Sequence, residues 1–130
     1  MVKYGTLEHY KALKDALNKD EEFTKSGLST TMIFRFSDRK NASGGMLSFM
    51  LTVDKGKVLD ATEVGENDKA EFVGTATYAV LADITKGKQD PMQAQRYGIL
   101  DYKFPILKAL RYNRCIKRIS ALELALQSEY

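Results

Sequence analysis

The sequence predicts an α+β domain in which helices cover a five-stranded, mainly antiparallel sheet, in the order α-β-β-β-β-α-α-β-α. Three observations carry that prediction. The hydrophobic period starts near 3.6, changes to two in the middle of the chain and returns to 3.6. The strands in the middle are joined by turns too short for a crossover, so they must be antiparallel neighbours. Finally, 130 residues with 44% hydrophobic content can bury one core without disulfides, so residues 1–130 are expected to form a single domain.

The opening helix is marked by Leu7, Tyr10, Leu13 and Leu17 at spacings of three and four, with Ala12 and Ala16 on the same side. Thr6 is a candidate N-cap, and Glu8 suits the positive end of the helix dipole. Lys11, Lys14, Asp15 and Asn18 should face water, and Asp20-Glu21-Glu22 should mark the helix exit. Alternation then begins with Met32, Phe34 and Phe36, a half-buried strand. Asp38 to Gly45 is a loop. A second strand runs from Met46 to Val53 with Leu47, Phe49, Leu51 and Val53 on one face. Asp54-Lys55-Gly56-Lys57 reads as a tight hairpin in which Gly56 takes positive φ. A third strand, Val58 to Val64, is followed by the turn Gly65-Glu66-Asn67-Asp68 and a short fourth strand, Ala70 to Val73.

Past Gly74 the helical period returns. Thr75 or Thr77 can cap a helix holding Tyr78, Leu81, Ala82 and Ile84, closed by Gly87. Asp90-Pro91 is a capping Asp followed by Pro at the first helical position. The helix it opens ends before Gly98. Ile99 to Phe104 is a fifth strand, and Pro105 opens the last helix, whose stripe is Tyr112, Cys115, Ile116, Ile119, Leu122 and Leu126. Asn113 is a place where that helix can break. Ile33, Met46, Met50 and Val58 are expected on outer strand faces, which leaves a homodimer or further helical cover to shield them.

Charge is informative by position. The net charge is +3, but six basic residues (Lys103, Lys108, Arg111, Arg114, Lys117 and Arg118) fall between 103 and 118, where there is no acidic residue. The remaining fourteen basic and seventeen acidic residues leave the rest of the chain at −3. Any electrostatic function is therefore expected on this segment. The inventory for catalysis is thin. One histidine, His9, is expected to be solvated on its helix, and one cysteine, Cys115, lies on an apolar stripe and reads as a small buried hydrophobe. These two are not expected to make a zinc site. No phosphate-binding glycine loop, dinucleotide fingerprint or nucleophile elbow is present, so the protein is not expected to be an enzyme. The densest apolar run, Met46 to Val53, is too short to span a membrane. The N-terminal residues carry no apolar secretory segment, and Ser128-Glu129-Tyr130 is not a peroxisomal address, so the expected location is cytoplasmic.

The stretch Gly87-Lys88-x-x-Pro91-Met92-Gln93-Ala94-x-x-x-Gly98-x-Leu100 resembles the signature of the sterol carrier protein type 2 family, and Ala70-Glu71-Phe72 followed by Gly74-Thr75-Ala76-Thr77-Tyr78 fits it. The order of elements over residues 4–126 agrees as well. The sequence departs from the family pattern after the last strand, where Phe104 and Pro105 replace the usual Gly-Asp or Gly-Asn, and where a basic helix replaces a short apolar one.

The resemblance implies a lipid-binding fold without a prosthetic group, holding a sterol, fatty acyl chain or phospholipid in an apolar cavity, for binding alone or for transfer. Residues chosen as inward-facing to line it are Phe34, Phe36, Phe49, Leu51, Phe72, Leu81, Ile84, Met92, Leu100, Tyr102, Leu107 and Leu110. A second surface, made of Lys108, Arg111, Arg114, Lys117 and Arg118, could dock on an anionic membrane or an acidic protein. Nucleic acid stands last among its partners, because no nucleic-acid fold accompanies Tyr97, Tyr102 and Tyr112.

Overall fold

The computed structural model describes residues 2–130. Helix α1 spans Leu7–Lys19 and is capped by the Thr6 side chain, which accepts a hydrogen bond from the His9 amide. Asp20 does more than end α1. Its carboxylate caps a further short helix, α2 (Glu21–Thr24), with Glu21 and Glu22 in the first turn, where negative charge is favoured. Asn18 does not simply face water: its side-chain amide donates to the Val58 carbonyl and accepts from the Val58 amide, tying α1 to the sheet.

Strands β1 (Thr30–Lys40), β2 (Met46–Asp54) and β3 (Lys57–Val64) form the expected antiparallel meander. The β2–β3 turn has Lys55 at φ 49° and Gly56 at φ 82°, the two positive values of a type I′ turn. Glycine is needed at position 56 for a second reason, since a Cβ there would lie 2.2 Å from the Thr24 carbonyl oxygen. A register shift beside Val53 pairs Val53 with Val58. Val58 is turned inward and fully buried, and Ile33 is buried too. The expectation that both lie open on an outer face is therefore corrected, while Met46 and Met50 remain half-buried.

Strand β4 (Phe72–Ala76) runs parallel to β1, pairing Met32 with Phe72 and Phe34 with Gly74. The sheet order is β3-β2-β1-β4-β5, so the sheet is mixed. The cause is the connection over residues 65–71. Arg35, on the face of β1 away from α1, donates to the carbonyls of Gly65 and Asp68 at 3.2 Å each and to the Ser48 hydroxyl at 2.9 Å. These bonds carry the chain past β1 before it re-enters the sheet. Gly74 lies inside β4 and does not end it.

Helix α3 (Tyr78–Thr85) is capped by Thr77, and α4 (Pro91–Arg96) by Asp90 with Pro at its start. Strand β5 is short, Asp101–Lys103, and antiparallel to β4. The last helical segment is broken at Tyr112 into α5 (Ile106–Arg111) and α6 (Asn113–Ala125). Neither α5 nor α6 has a side-chain N-cap. Among the described residues, no helix is long and apolar enough to cross a membrane.

The helical layer is lopsided. Helix α1 lies along β2 and β3, α3 lies against β1, and α6 packs on α1, α2 and α3. Among the described residues no helix lies closely along β4 or β5. Under α1 the interior is tight, with the Tyr10 ring stacked against Phe34 (centroids 5.1 Å apart) and Phe49 (4.8 Å).

Candidate ligand-binding site

Strand alternation sets one row across the helix-facing side of the sheet. Phe49, Phe34, Gly74 and Tyr102 are successive partners on β2, β1, β4 and β5. Phe49 is buried under α1, whereas Phe34, Gly74 and Tyr102 are half-buried, because the helices stand off from β4 and β5. Gly74 has no side chain in this row, and a Cβ there would meet only Leu100 Cδ1 at 3.9 Å.

Of the expected lining residues, Phe36, Phe49, Leu51, Phe72, Leu81 and Leu100 are buried, and Phe34, Ile84 and Tyr102 are half-buried. Met92, Leu107 and Leu110 are 49%, 83% and 71% exposed. The fold brings Phe34, Phe72 and Tyr102 to one sheet face and packs Leu81, Ile84 and Leu100 against the same core. Phe104 joins them, its ring centroid 4.5 Å from that of Tyr102. It is absent from the expected set; its place at the end of β5 just before Pro105 was the signal for it. Burial raises the Tyr102 hydroxyl above the ordinary tyrosine pKa, so it stays protonated.

Two hollows stand out, both open to solvent, and none of the twelve residues lines either. One, of about 320 Å³, lies among the loops of Asn41, Ser43, Gly45 and Gly65 to Asp68. The other, of about 500 Å³, lies at the α5–α6 junction and is lined by Glu22, Lys25, Ser26, Arg111, Tyr112, Arg114 and Cys115. Cys115 is buried, as its stripe predicts, and burial pushes its thiol pKa up. Between the sheet and the helices the apolar side chains close on one another.

The five basic residues divide by what they touch. Lys108 donates to the Glu71 carboxylate at 2.7 Å and to the Ser29 carbonyl. Arg118 pairs with Asp20 at 2.7 Å and with Glu22 at 3.5 Å. The Arg118 hydrogen bond holds the Asp20 carboxyl below the usual carboxylate range, and the Lys108 and Thr30 hydrogen bonds do the same for Glu71. Arg111, Arg114 and Lys117 are exposed, and of these only Arg114 comes near an acid, Glu22 at 3.9 Å, among the described residues.

His9 departs from expectation: it is fully buried. Its Nδ1 is 2.7 Å from the Ser128 hydroxyl and its Nε2 is 2.9 Å from the Glu123 carboxylate. When Nε2–H donates to Glu123, Nδ1 accepts from Ser128. The spacing matches a nucleophile, base and orienting acid, but all three side chains are buried and neither hollow includes them. What they do is tie α1 to the end of α6 and to the C-terminal tail, which also pairs with residues 2–4. The periodic signal was present, since His9 precedes Leu13 and Leu17 by four and eight positions on one stripe. Among the described residues, no cluster of His, Cys, Asp and Glu could hold a metal.

No protein-family model matches the sequence, and no curated protein matches it. Solved structures do. A conserved hypothetical protein from Thermus thermophilus, described as possibly a sterol carrier protein, superposes with a TM-score of 0.77 at 18% identity, over 99% of this chain and 93% of that one. A sterol carrier protein 2 crystal structure gives 0.77 at 19% identity, over 94% of this chain and 98% of that one. Palmitated SCP2L2 from Aedes aegypti gives 0.52 at 16% identity, over 92% and 95%. At such identities the likeness is one of fold, and the fold is that of sterol carrier protein 2.

Proposed function

We propose that the protein binds an apolar, lipid-like ligand such as an acyl chain, sterol or phospholipid, without catalysis, between the helices and the β1-β4-β5 part of the sheet. The observation that carries the reading is the thinly covered half of the sheet: the row Phe34–Gly74–Tyr102 lies on the helix-facing side, is half-buried and lacks a side chain at its centre. The sterol carrier protein 2 fold, and the palmitate named for one structure that shares it, support the same reading.

In this reading Phe34, Phe72, Leu81, Ile84, Leu100 and Tyr102 meet the ligand, Phe36, Phe49 and Leu51 form the wall behind them, and Met92, Leu107 and Leu110 form the rim. Since the side chains close on one another, a ligand enters by displacing them and the weakly held α5. Each ligand methylene removed from water contributes about 0.8 kcal/mol, against the cost of ordering ligand and rim. Among the described residues, no cluster of His, Cys, Asp and Glu could hold a metal to act on it. Native mass spectrometry and organic extraction of the purified protein test the reading. Co-purifying lipid at near one per chain supports it, and a lipid-free protein that takes up no added lipid opposes it.

A further inference from the structure

Exposed apolar residues are concentrated in one stretch of the chain. Of the nine large hydrophobics that are exposed among the described residues, Met92, Tyr97, Ile99, Ile106, Leu107 and Leu110 all fall between 92 and 110. Within α5, Ala109 packs on the core while Ile106, Leu107 and Leu110 point outward. The next residues on the same chain are the exposed Arg111, Arg114 and Lys117. Arg111 and Arg114 also line the 500 Å³ cleft, together with Lys25, Ser26 and Tyr112. The acid lining it is Glu22, which reaches Arg114 and Arg118, while Lys25 pairs with Glu21 outside the lining.

We infer that α5 and the start of α6 form a docking surface for an anionic lipid bilayer. Ile106, Leu107 and Leu110 enter the acyl region, Arg111, Arg114 and Lys117 lie at the level of the phosphates, and the cleft beside Arg111 receives a lipid phosphate. An apolar ridge flanked by cations is the pattern of an interfacial helix, which binds by both terms together. The arginines are suited to the phosphates by their planar fork of donors. The inference rests on the ligand-binding reading only for its purpose, since α5 follows Phe104 and Tyr102 and docking would bring that side of the fold to the membrane.

The test is sedimentation of the intact chain with vesicles of phosphatidylcholine alone or mixed with phosphatidylserine, at low and high salt. Binding is expected only with phosphatidylserine and should weaken with salt. Each basic residue near such a surface multiplies partitioning about five-fold, so Arg111→Glu with Arg114→Glu should reduce it by at least about 25-fold. Leu107→Ser with Leu110→Ser should reduce it at least about ten-fold through lost apolar burial, with circular dichroism confirming that both variants are folded. Absence of binding to phosphatidylserine vesicles overturns the inference, as does binding that either pair leaves unchanged. A single-stranded RNA oligonucleotide bound in place of vesicles overturns it in favour of nucleic acid. Uptake of a fluorescent acyl probe without vesicles separates the two readings: a chain that takes up probe but ignores vesicles refutes docking alone, and one that docks but takes up no probe refutes ligand binding alone.

Discussion

Among the described residues, the buried Tyr10 hydroxyl has no partner at hydrogen-bond geometry, while its ring stacks on Phe34 and Phe49. Burial raises its pKa well above the usual tyrosine value, with the neighbouring Tyr4 hydroxyl adding to the shift, so it stays protonated. Tyr10→Phe removes that unsatisfied group and keeps the stacking. It should leave stability unchanged or raise it by about 1 kcal/mol, read as a higher denaturant midpoint. Asp20 behaves in the opposite way, because it is fully used. Arg118 lowers its folded pKa below the unfolded value, so the unfolded chain binds the proton more readily. The stabilisation is present above the ordinary carboxylate pKa and is lost as pH falls through the lowered folded value. Arg118→Ala should therefore be less stable than the wild type at neutral pH, with the difference shrinking as acid protonates Asp20. A difference independent of pH would assign Arg118 to packing alone. Such pairings were not legible in the sequence. Asp20 and Arg118 are 98 positions apart, and His9 meets Glu123 and Ser128 across more than a hundred; only folding brings them together.

At the scale of elements, periodicity carried far. The alternation over Met46 to Val53 and the Lys55-Gly56 turn define the meander, and Thr77 and Asp90-Pro91 start their helices. Local pattern could not give the parallel pairing of β4, which depends on Arg35 holding the 65–71 connection across β1. Nor could it give the orientation of α5. Its Leu107 and Leu110 sit at a spacing that suits either a buried or an exposed face, and the choice depends on what lies above the helix. Helix α5 has six residues, no side-chain cap and packing mainly on α6, too little to be stable by itself. Amide hydrogen exchange should be faster over Ile106–Arg111 than over α1, with protection of α5 increasing when an acyl ligand is added. Protection of α5 equal to that of α1 in the free protein would mean that it does not move to admit a ligand.

Over the whole molecule the helical layer divides the sheet in two. Beneath α1 the strands β2 and β3 are closely covered, with the Tyr10 ring stacked on Phe34 and Phe49; over β4 and β5 the cover is thinner and the glycine row lies half-buried. Sequence alternation put Phe34, Phe72 and Tyr102 on one face, but it could not measure how closely the helices cover them, which is a property of how all the helices share one sheet. The most direct measurement is fluorescence titration of the intact chain with a long-chain acyl probe, alongside Gly74→Leu. The wild type should take up the probe saturably near one to one with little dependence on salt. The folded variant, whose added side chain fills the centre of the row, should bind at least about ten-fold more weakly. Absence of saturable uptake by the wild type, or equal uptake by Gly74→Leu, would contradict binding over β4 and β5.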